Sequence, residues 1–325
     1  MTIIDFHNHY YPPEYVELIK AGPSAYEVTF DADDNPVLHS PGDYNILVPG
    51  HRLLEVRQAE MKAAGVDKHI LSFTAPGTTI ETPQRSVELS QQVNDRLAQV
   101  QREHGMFPAL ATLPLNAPEA CADEMERALT ELHLKGVMLF SNADGVALSD
   151  KRFWPLYERA DALGAVFYIH PTFPVGVEAM EDYMLMPLVG FLADTTLAAA
   201  SLVFSGVVEQ FPNITWVLAH LGGAVPYLAE RFDRGYEAFP QCREHISKLP
   251  SEYLKDFYYD TVNFDVNALQ FALDFAGVDH LVAGSDYPHQ IGSMEKMVSS
   301  INQLNLSDED RAAIFGGNAA HLLGL

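Results

Sequence analysis

The residues best suited to chemistry stand near the amino end, in the segment Asp-Phe-His-Asn-His at residues 5–9. This segment follows the apolar residues 1–4, and such a run is typical of a short buried strand. Side chains alternate between the two faces of a strand, so His7 and His9 point the same way and offer half of a transition-metal site. By itself, His-x-His is more often a pair of solvated or hydrogen-bonded histidines, so a metal site requires further ligands.

Three later apolar runs end in residues of matching chemistry, namely His170, His220 and Asp286. In a closed parallel barrel the eighth strand lies beside the first, which brings Asp286 to His7 and His9. Imidazole nitrogens and a carboxylate suit one divalent transition metal, with Zn²⁺ the first choice and Mn²⁺ the alternative. The competing interpretation is that these strand ends carry unrelated polar residues.

Short apolar strands alternate with helices along the chain, which indicates a parallel sheet with crossover helices. After the first strand, further strands are expected at residues 66–73, 106–113, 135–140, 165–170, 214–220, 256–261 and 280–286. Helices are expected at residues 52–64, 85–104, 118–132, 153–163, 197–210, 222–231 and 266–275, with two short ones within 307–323. Eight strand–helix units predict a single (β/α)8 TIM barrel that covers residues 1–325. A glycine-rich nucleotide motif does not follow the first strand, which argues against a dinucleotide-binding fold.

Two long segments interrupt this alternation. Residues 10–50 follow the first strand and are rich in Pro, Gly, Asp and Asn, and residues 171–196 follow the fifth strand. Both are expected to be irregular, and their conformation cannot be read from the pattern. Loops of this length inside a compact domain are usually functional, so we expect excursions that shape a substrate pocket or form a lid.

Composition limits the partners. The chain has 20 basic and 44 acidic residues, a formal charge of −24, which argues against nucleic acid and anionic membranes because both require basic patches. A small carboxylic acid remains compatible with this charge if a few arginines focus positive charge.

The two distant cysteines, Cys121 and Cys242, form no disulfide framework and fit a reducing cytosol. No signal peptide is evident and no stretch approaches the roughly 20 apolar residues of a membrane helix, so we expect a cytoplasmic protein.

Most other histidines are expected to be structural, because a barrel places its chemistry at the carboxyl ends of its strands. They begin strands, lie at helix ends, lie in the first excursion or fall in outer segments, and they are His39, His51, His69, His104, His133, His245, His280 and His321. His289 differs because it lies just past Asp286. Either a substrate contact or a purely structural place in the loop is compatible with it.

Further motifs extend the pattern over essentially the whole chain. They are Asp5-x-His7-x-His9-x-x-x-Pro13, Glu60-Met61-x-x-x-Gly65-Val66, Asn94-Asp95, Lys135-Gly136-Val137, His170-Pro171, His220-Leu221-Gly222-Gly223, Arg231-x-Asp233, Gly284-Ser285-Asp286-Tyr287-Pro288 and Gly317-Asn318-Ala319. This set resembles the amidohydrolase superfamily, and more closely the branch of 2-amino-3-carboxymuconate-6-semialdehyde decarboxylase and related non-oxidative decarboxylases. The Gly-Ser-Asp-Tyr-Pro block and the spacing of His-x-Gly-Gly to Arg are specific to that branch.

The resemblance implies one metal ion held by His7, His9, His170 and Asp286. It implies that His220 is an acid/base residue that orients or activates a metal-bound water. Because decarboxylation requires a proton on the carbon that loses CO₂, we assign proton handling to His220 and Asp286 together. Asp286 is regarded as a ligand first, since coordination lowers the basicity of a carboxylate.

The resemblance also implies that Arg231 reaches the active site of a neighbouring subunit and holds the substrate carboxylate, which predicts a homodimer. The decarboxylase carries a second substrate arginine in the excursion after its first strand. That position falls near Asn45 here, and Arg52 is the nearest arginine, so Arg52 becomes the candidate with His289 as a further substrate contact. This departure argues against an identical substrate.

Three functions are compatible with these residues. The first is a metal-dependent non-oxidative decarboxylase of a hydroxylated or amino aromatic acid or a muconate-like acid. The second is a metal-dependent hydrolase or hydratase, such as a lactonase or a carbon–carbon bond hydrolase, that uses a metal-activated water. The third is a protein that binds metal or ligand without turnover. Release of CO₂ separates the first function from the second.

Overall fold

Parallel strands alternate with helices around a barrel in the computed structural model, which describes residues 1–22, 26–40, 43–79 and 81–325. The strands of these residues are β1 (Ile4–His9), β2 (Glu27–Phe30), β3 (Pro36–Ser40), β4 (Asp43–Ile46), β5 (Lys68–Ser72), β6 (Val137–Phe140), β7 (Asn142–Ala143), β8 (Val146–Ala147), β9 (Val166–His170), β10 (Thr215–Leu218), β11 (Tyr258–Asp260) and β12 (Leu281–Val282). The α-helices are α1 (Tyr15–Ala21), α2 (Pro49–Arg52), α3 (Leu54–Ala64), α4 (Pro83–Glu103), α5 (Pro118–Glu126), α6 (Trp154–Leu163), α7 (Phe191–Phe204), α8 (Val207–Gln210), α9 (Val225–Ala238), α10 (Pro250–Lys255), α11 (Val266–Ala276), α12 (Met294–Gln303), α13 (Asp308–Ala312) and α14 (Asn318–Leu323).

Hydrogen bonds join eight backbone segments of the described chain into a closed ring. β1 pairs in parallel with β5, and β6, β9, β10, β11 and β12 form a parallel sheet in that order. Residues 109–111 connect these two sheets through single bridges to β5 and β6. The ring closes where the amide of Phe6 donates to the carbonyl of Ala283 at 2.7 Å. The predicted (β/α)8 barrel is therefore confirmed.

The third and eighth barrel strands are shorter than predicted. The segment 106–113 forms only isolated bridges at Ala109 and Ala111, and the neighbouring Pro108 has no N–H to extend a ladder. The segment 280–286 is reduced to the two residues of β12, because the chain turns at Asp286, which has a left-handed φ of 59°. Gly284 is required before this turn, since a Cβ there would lie 2.8 Å from the Cβ of His7.

The first excursion has regular structure, so the prediction of an irregular segment at residues 10–50 was wrong. It contains α1, α2 and an antiparallel sheet in the order β2–β3–β4. The sheet turns at Asp31, whose Oδ1 accepts the amide of Asn35 at 2.8 Å. Arg52 then ties this sheet to α2, because it donates to the carbonyl of Leu47 at 2.9 Å and to Oδ1 of Asn35 at 3.3 Å. Strands of four or five residues are too short to give a clear period-two pattern.

The second excursion becomes helical before the predicted Leu197. A π-helical turn at Met186–Gly190 continues into α7, and the resulting 19-residue helix is long and apolar enough, by composition alone, to cross a membrane. The expectation that no stretch approaches this length was therefore wrong. In the barrel 44% of its apolar window is buried, and α7 packs against α9 and α10. A core helix that does not cross a membrane can have the same apolar composition.

Candidate metal centre and active site

Five side chains predicted from strand ends meet at one mouth of the barrel. His7 and His9 belong to β1, His170 ends β9, and His220 and Asp286 follow β10 and β12. The Nε2 atoms of His7 and His9 lie 3.1 Å apart, and they lie 3.3 and 3.1 Å from Oδ1 of Asp286. The rings of His170 and His220 lie 5.2 and 4.8 Å from the ring of His7, centroid to centroid. All five residues are buried.

Hydrogen bonds at Nδ1 orient three of these histidines. The acceptors are Oδ2 of Asp260 for His7 (2.5 Å), Oγ of Ser72 for His9 (3.3 Å) and the carbonyl of Pro171 for His170 (2.8 Å). A proton held on Nδ1 leaves the lone pair of Nε2 free for coordination. In the described part of the chain, the buried Nε2 of His170 has no hydrogen-bond partner. Three rings are thus set in the form that binds a metal ion.

This donor set fits one divalent cation. His7, His9 and Asp286 form one candidate ligand group and His7, His170 and His220 form another, each with donor atoms within 4.8 Å of one another. The Nε2 atoms of His7 and His9 and Oδ1 of Asp286 converge to 3.1–3.3 Å, which is close enough for all three atoms to bind one cation. Imidazole nitrogen with carboxylate oxygen suits Zn²⁺ and Mn²⁺ alike.

Burial and charge set the protonation of the cluster. Burial holds the pKa of His9 and of His170 well below the ordinary value for histidine. Burial would also lower the pKa of His7, but the charge of Asp260 and hydrogen bonds to the neighbouring carboxylates raise that pKa to about 10. Burial would raise the pKa of Asp286, yet hydrogen bonds from His7 and His9 bring that pKa well below its ordinary value. His9 and His170 are therefore unprotonated and Asp286 is ionised, as metal binding requires. His7 is protonated at neutral pH in the absence of a cation, so a metal ion has to displace one of its protons.

His220 differs from the other three histidines. Its Nδ1 is buried and has no partner among the residues that the structure describes, and its Nε2 lies 4.0 Å from Oδ2 of Asp286. Burial, followed by the charge of His7, lowers the pKa of His220 to about 4. Because no acceptor fixes its tautomer, either nitrogen can carry the proton. This imidazole is placed to exchange a proton with a molecule bound above Asp286.

Asp260, at the end of β11, supports both His7 and His220, and the sequence analysis missed it. Besides His7, its carboxylate accepts the amides of His220 and Leu221, each at 3.0 Å, and the hydroxyl of Tyr168 at 3.0 Å. His220 and Leu221 both have left-handed backbones, with φ of 53° and 56°. Such strain persists only where surrounding contacts hold it. A carboxylate at the end of the seventh strand, beside the eighth, was the signal that could have revealed this role.

Replacement of Asp260 by asparagine should weaken metal affinity and turnover together, each by roughly 10- to 100-fold. The amide keeps the shape of the side chain but loses the negative charge that fixes the Nδ1 proton of His7. Metal affinity by titration and the rate of turnover measure the two effects. Asp274→Asn, an exposed change on α11, is the matched control. An Asp260→Asn protein that binds metal as tightly as this control would contradict the orienting role.

A second buried network lies behind His9. Arg57 of α3 is fully buried, and its Nη1 donates to Oδ1 of Asn8 at 2.7 Å and lies 2.8 Å from Nδ1 of His69. Its Nη2 donates to the carbonyl of His9. Burial lowers the pKa of Arg57 to about 10, so the guanidinium stays charged at neutral pH. This network fixes the backbone of the His-x-His segment. His69 takes part in it through Arg57, which is a structural role.

A cavity of about 390 Å³ opens above His170, His220 and Asp286. Both excursions and the residues after β12 build its walls, which agrees with the expected role of the excursions. The walls are mainly aromatic and aliphatic, and they include Tyr26, Leu38, Ile46, Met186, Phe191 and Ile291. The candidate metal centre thus forms the floor of an apolar chamber large enough for a substituted aromatic ring.

Comparison with known proteins agrees with this geometry. The family model described as amidohydrolase matches residues 4–325. The 2-amino-3-carboxymuconate-6-semialdehyde decarboxylase of Dictyostelium discoideum is 34% identical over 278 residues, which cover 83% of this chain and 76% of the relative. The chain belongs to the amidohydrolase family.

Two further known proteins match over almost the full length of both chains. The 6-methylsalicylic acid decarboxylase of Penicillium expansum is 27% identical over 332 residues, which cover 99% of this chain and 96% of the relative. The crystal structure of 5-carboxyvanillate decarboxylase LigW from Sphingomonas paucimobilis superposes with a TM-score of 0.87 at 25% identity, covering 100% of this chain and 99% of that one. The resemblance to the decarboxylase branch of the amidohydrolases is confirmed.

The candidate substrate residues of this amidohydrolase do not all lie together. His289 lines the cavity, with its ring 4.7 Å from that of His9. Arg52 does not line the cavity and instead forms the hydrogen bonds that hold the first excursion. Arg231 is exposed on α9, outside the cavity of its own chain. His51, which the sequence analysis placed in the first excursion as a structural residue, is buried with its ring 5.0 Å from that of His289.

Proposed function

We propose that the protein is a metal-dependent non-oxidative decarboxylase, a carboxy-lyase, that acts on a hydroxylated or amino aromatic acid or a muconate-like acid. The observation that carries the proposal is the buried cluster of imidazoles around Asp286 at the floor of an aromatic-lined cavity. The activities named for the relatives in Dictyostelium discoideum and Penicillium expansum support the same reaction class.

His7, His9, His170 and Asp286 would hold one divalent cation, Zn²⁺ as the first choice with Mn²⁺ as the alternative. The oriented Nε2 atoms and the carboxylate oxygen supply a donor set suited to either ion. When bound, the cation supplies a Lewis acid that fixes an acidic substrate and stabilises negative charge that develops on it.

The residues of the chain transfer the proton and form the apolar walls of the cavity. As the bond to the carboxyl group breaks, its electron pair stays on the ring carbon, which takes up a proton while CO₂ leaves. His220 and Asp286 border the cavity floor and handle that proton. The aromatic and aliphatic walls favour the binding of an apolar ring above the floor.

The experiment that tests the function is a CO₂-release screen with the metal-loaded protein. Hydroxybenzoates, aminobenzoates and carboxymuconate analogues are the candidate acids, and lactones and ring-cleavage products are tested in parallel for hydrolysis. Release of CO₂ from one acid, with the matching decarboxylated product, supports the proposal. Hydrolysis of a lactone or ring-cleavage product without CO₂ from any acid favours the hydrolase or hydratase instead.

Arg231 is proposed to act across the interface of a homodimer and to hold the substrate carboxylate. Its exposure on α9 leaves it free to reach a second copy. Arg231→Ala should therefore lower turnover at least about tenfold, as expected for the loss of a charge-assisted hydrogen bond, and leave the metal content unchanged. Arg234→Ala, one turn further along the same helix and also solvent-facing, is the matched control. Normal turnover of Arg231→Ala would remove the intersubunit role.

A further inference from the structure

The cavity contains no basic side chain beyond its histidines. Among the described residues that line it, none is lysine or arginine, and Asp286 is the one carboxylate. The residues outside the described ranges add no cation either, because positions 23–25, 41–42 and 80 are Pro, Ser, Ala, Pro, Gly and Ile. The positive charge that this chain itself supplies to an anion in its chamber is therefore confined to the floor.

Two arginines that follow the first excursion, Arg52 and Arg57, are engaged elsewhere. Arg52 binds the carbonyl of Leu47 and the side chain of Asn35. Arg57 is fully buried behind His9 and directs its guanidinium at the carbonyl of that residue and at His69. Neither guanidinium is available to an anionic group in the upper part of the cavity.

The upper walls are mainly apolar, although the amides of Asn45 and Gln290 and several hydroxyl groups also line the cavity. They combine the first excursion, through Leu38 and Ile46, with the second, through Met186 and Phe191, and with Ile291 after the barrel. A carboxylate moved from water against such walls loses hydration and finds no cation that offsets this loss. A methyl or larger apolar group at the same place gains stability from burial instead.

We infer that this cavity selects aromatic acids with a single anionic group, the carboxylate at the metal centre, and with an apolar remainder. The inference rests on the proposed function for the position of that carboxylate. It separates this chain from an enzyme for dicarboxylates, even though the substrate class named for the Dictyostelium discoideum relative includes carboxymuconate compounds. The walls of the excursions, and not the metal centre, carry the selection.

Three matched acids test the inference. They are salicylate, 5-methylsalicylate and 4-hydroxyisophthalate, the last being salicylate with a carboxylate at the position of that methyl group. Dissociation constants are measured by calorimetry with the Mn²⁺-loaded protein, and CO₂ release is measured for each acid. We expect 5-methylsalicylate to bind at least as tightly as salicylate, and 4-hydroxyisophthalate to bind about tenfold or more weakly.

A variant pair assigns the selection to the wall. Ile46→Arg places a cation on the half-buried wall, and Ile46→Met is its uncharged control of similar length. Ile46→Arg should bring the affinity for 4-hydroxyisophthalate to that for 5-methylsalicylate, whereas Ile46→Met should keep the wild-type ratio. Arg231→Ala should lower the affinity for all three acids alike, because Arg231 is proposed to hold the carboxylate that they share.

Each outcome decides one claim. Equal or tighter binding of 4-hydroxyisophthalate by the wild-type protein overturns the inference, as does the absence of binding of all three acids. If Ile46→Arg does not fold, the wild-type ratio alone decides. A tenfold preference for 5-methylsalicylate without CO₂ release from any tested acid supports the inference and counts against the proposed decarboxylase, so the two can fail separately.

Discussion

Replacement of His220 by glutamine should lower turnover by roughly 10²- to 10⁴-fold, the range typical of a lost general acid/base. Glutamine is close to histidine in length and keeps hydrogen-bonding capacity, but it cannot exchange a proton near neutral pH. The metal content should stay near that of the wild-type protein, because the other candidate ligands remain in place. Elemental analysis and the rate of CO₂ release, measured on the same preparation, check both parts.

The control for this variant is His321→Gln, which changes an exposed histidine on α14. It should match the wild-type protein in metal content and rate. Normal turnover in His220→Gln would contradict the proton-transfer role. Loss of metal from His220→Gln would make His220 a ligand, in line with its place beside His7 and His170.

Replacement of His170 by alanine should remove most of the bound metal and most of the turnover. Its Nε2 is buried and directed at the cluster, and no other described residue offers that atom a hydrogen bond. A water molecule in the space left by the ring cannot match an imidazole as a ligand. The loss of metal affinity should exceed the roughly 10- to 100-fold typical of residues that only orient a ligand, such as Asp260.

Metal content after dialysis and the affinity for added Zn²⁺ and Mn²⁺ measure this loss, with His321→Ala as the control. Circular dichroism should be unchanged, because His170 ends a strand that the rest of the barrel supports. Retention of wild-type affinity by His170→Ala would exclude His170 from the ligand set. The remaining group of His7, His9 and Asp286 would then have to be sufficient.

The sequence was sufficient to predict the barrel and the side chains at its mouth. Apolar runs that end in His9, His170, His220 and Asp286 identify the carboxyl ends of strands, and a closed parallel barrel brings those ends together. The count of strand–helix units alone indicates that these ends meet. Strand ends are fixed by backbone pairing, which depends little on the identity of distant residues.

Contacts between distant side chains were harder to predict. Asp260 follows a strand of only three residues, and its importance depends on the left-handed backbone at His220 and Leu221, which no pattern reveals. Arg57 looks like an ordinary charged residue of α3, yet it is fully buried, where Asn8 and His9 accept its hydrogen bonds. The position of an excursion can be predicted, whereas its strands and helices depend on packing against the barrel.

Metal-dependent CO₂ release tests the central claim most directly. The protein is freed of metal with a chelator, and Zn²⁺ or Mn²⁺ is added back in steps while CO₂ release is followed with the most active acid of the screen. The account predicts no release without metal and a linear rise that ends at about one ion per chain, the capacity of a site with three or four protein ligands. Undiminished release from the metal-free protein, or a rise that ends at two ions per chain, would contradict it.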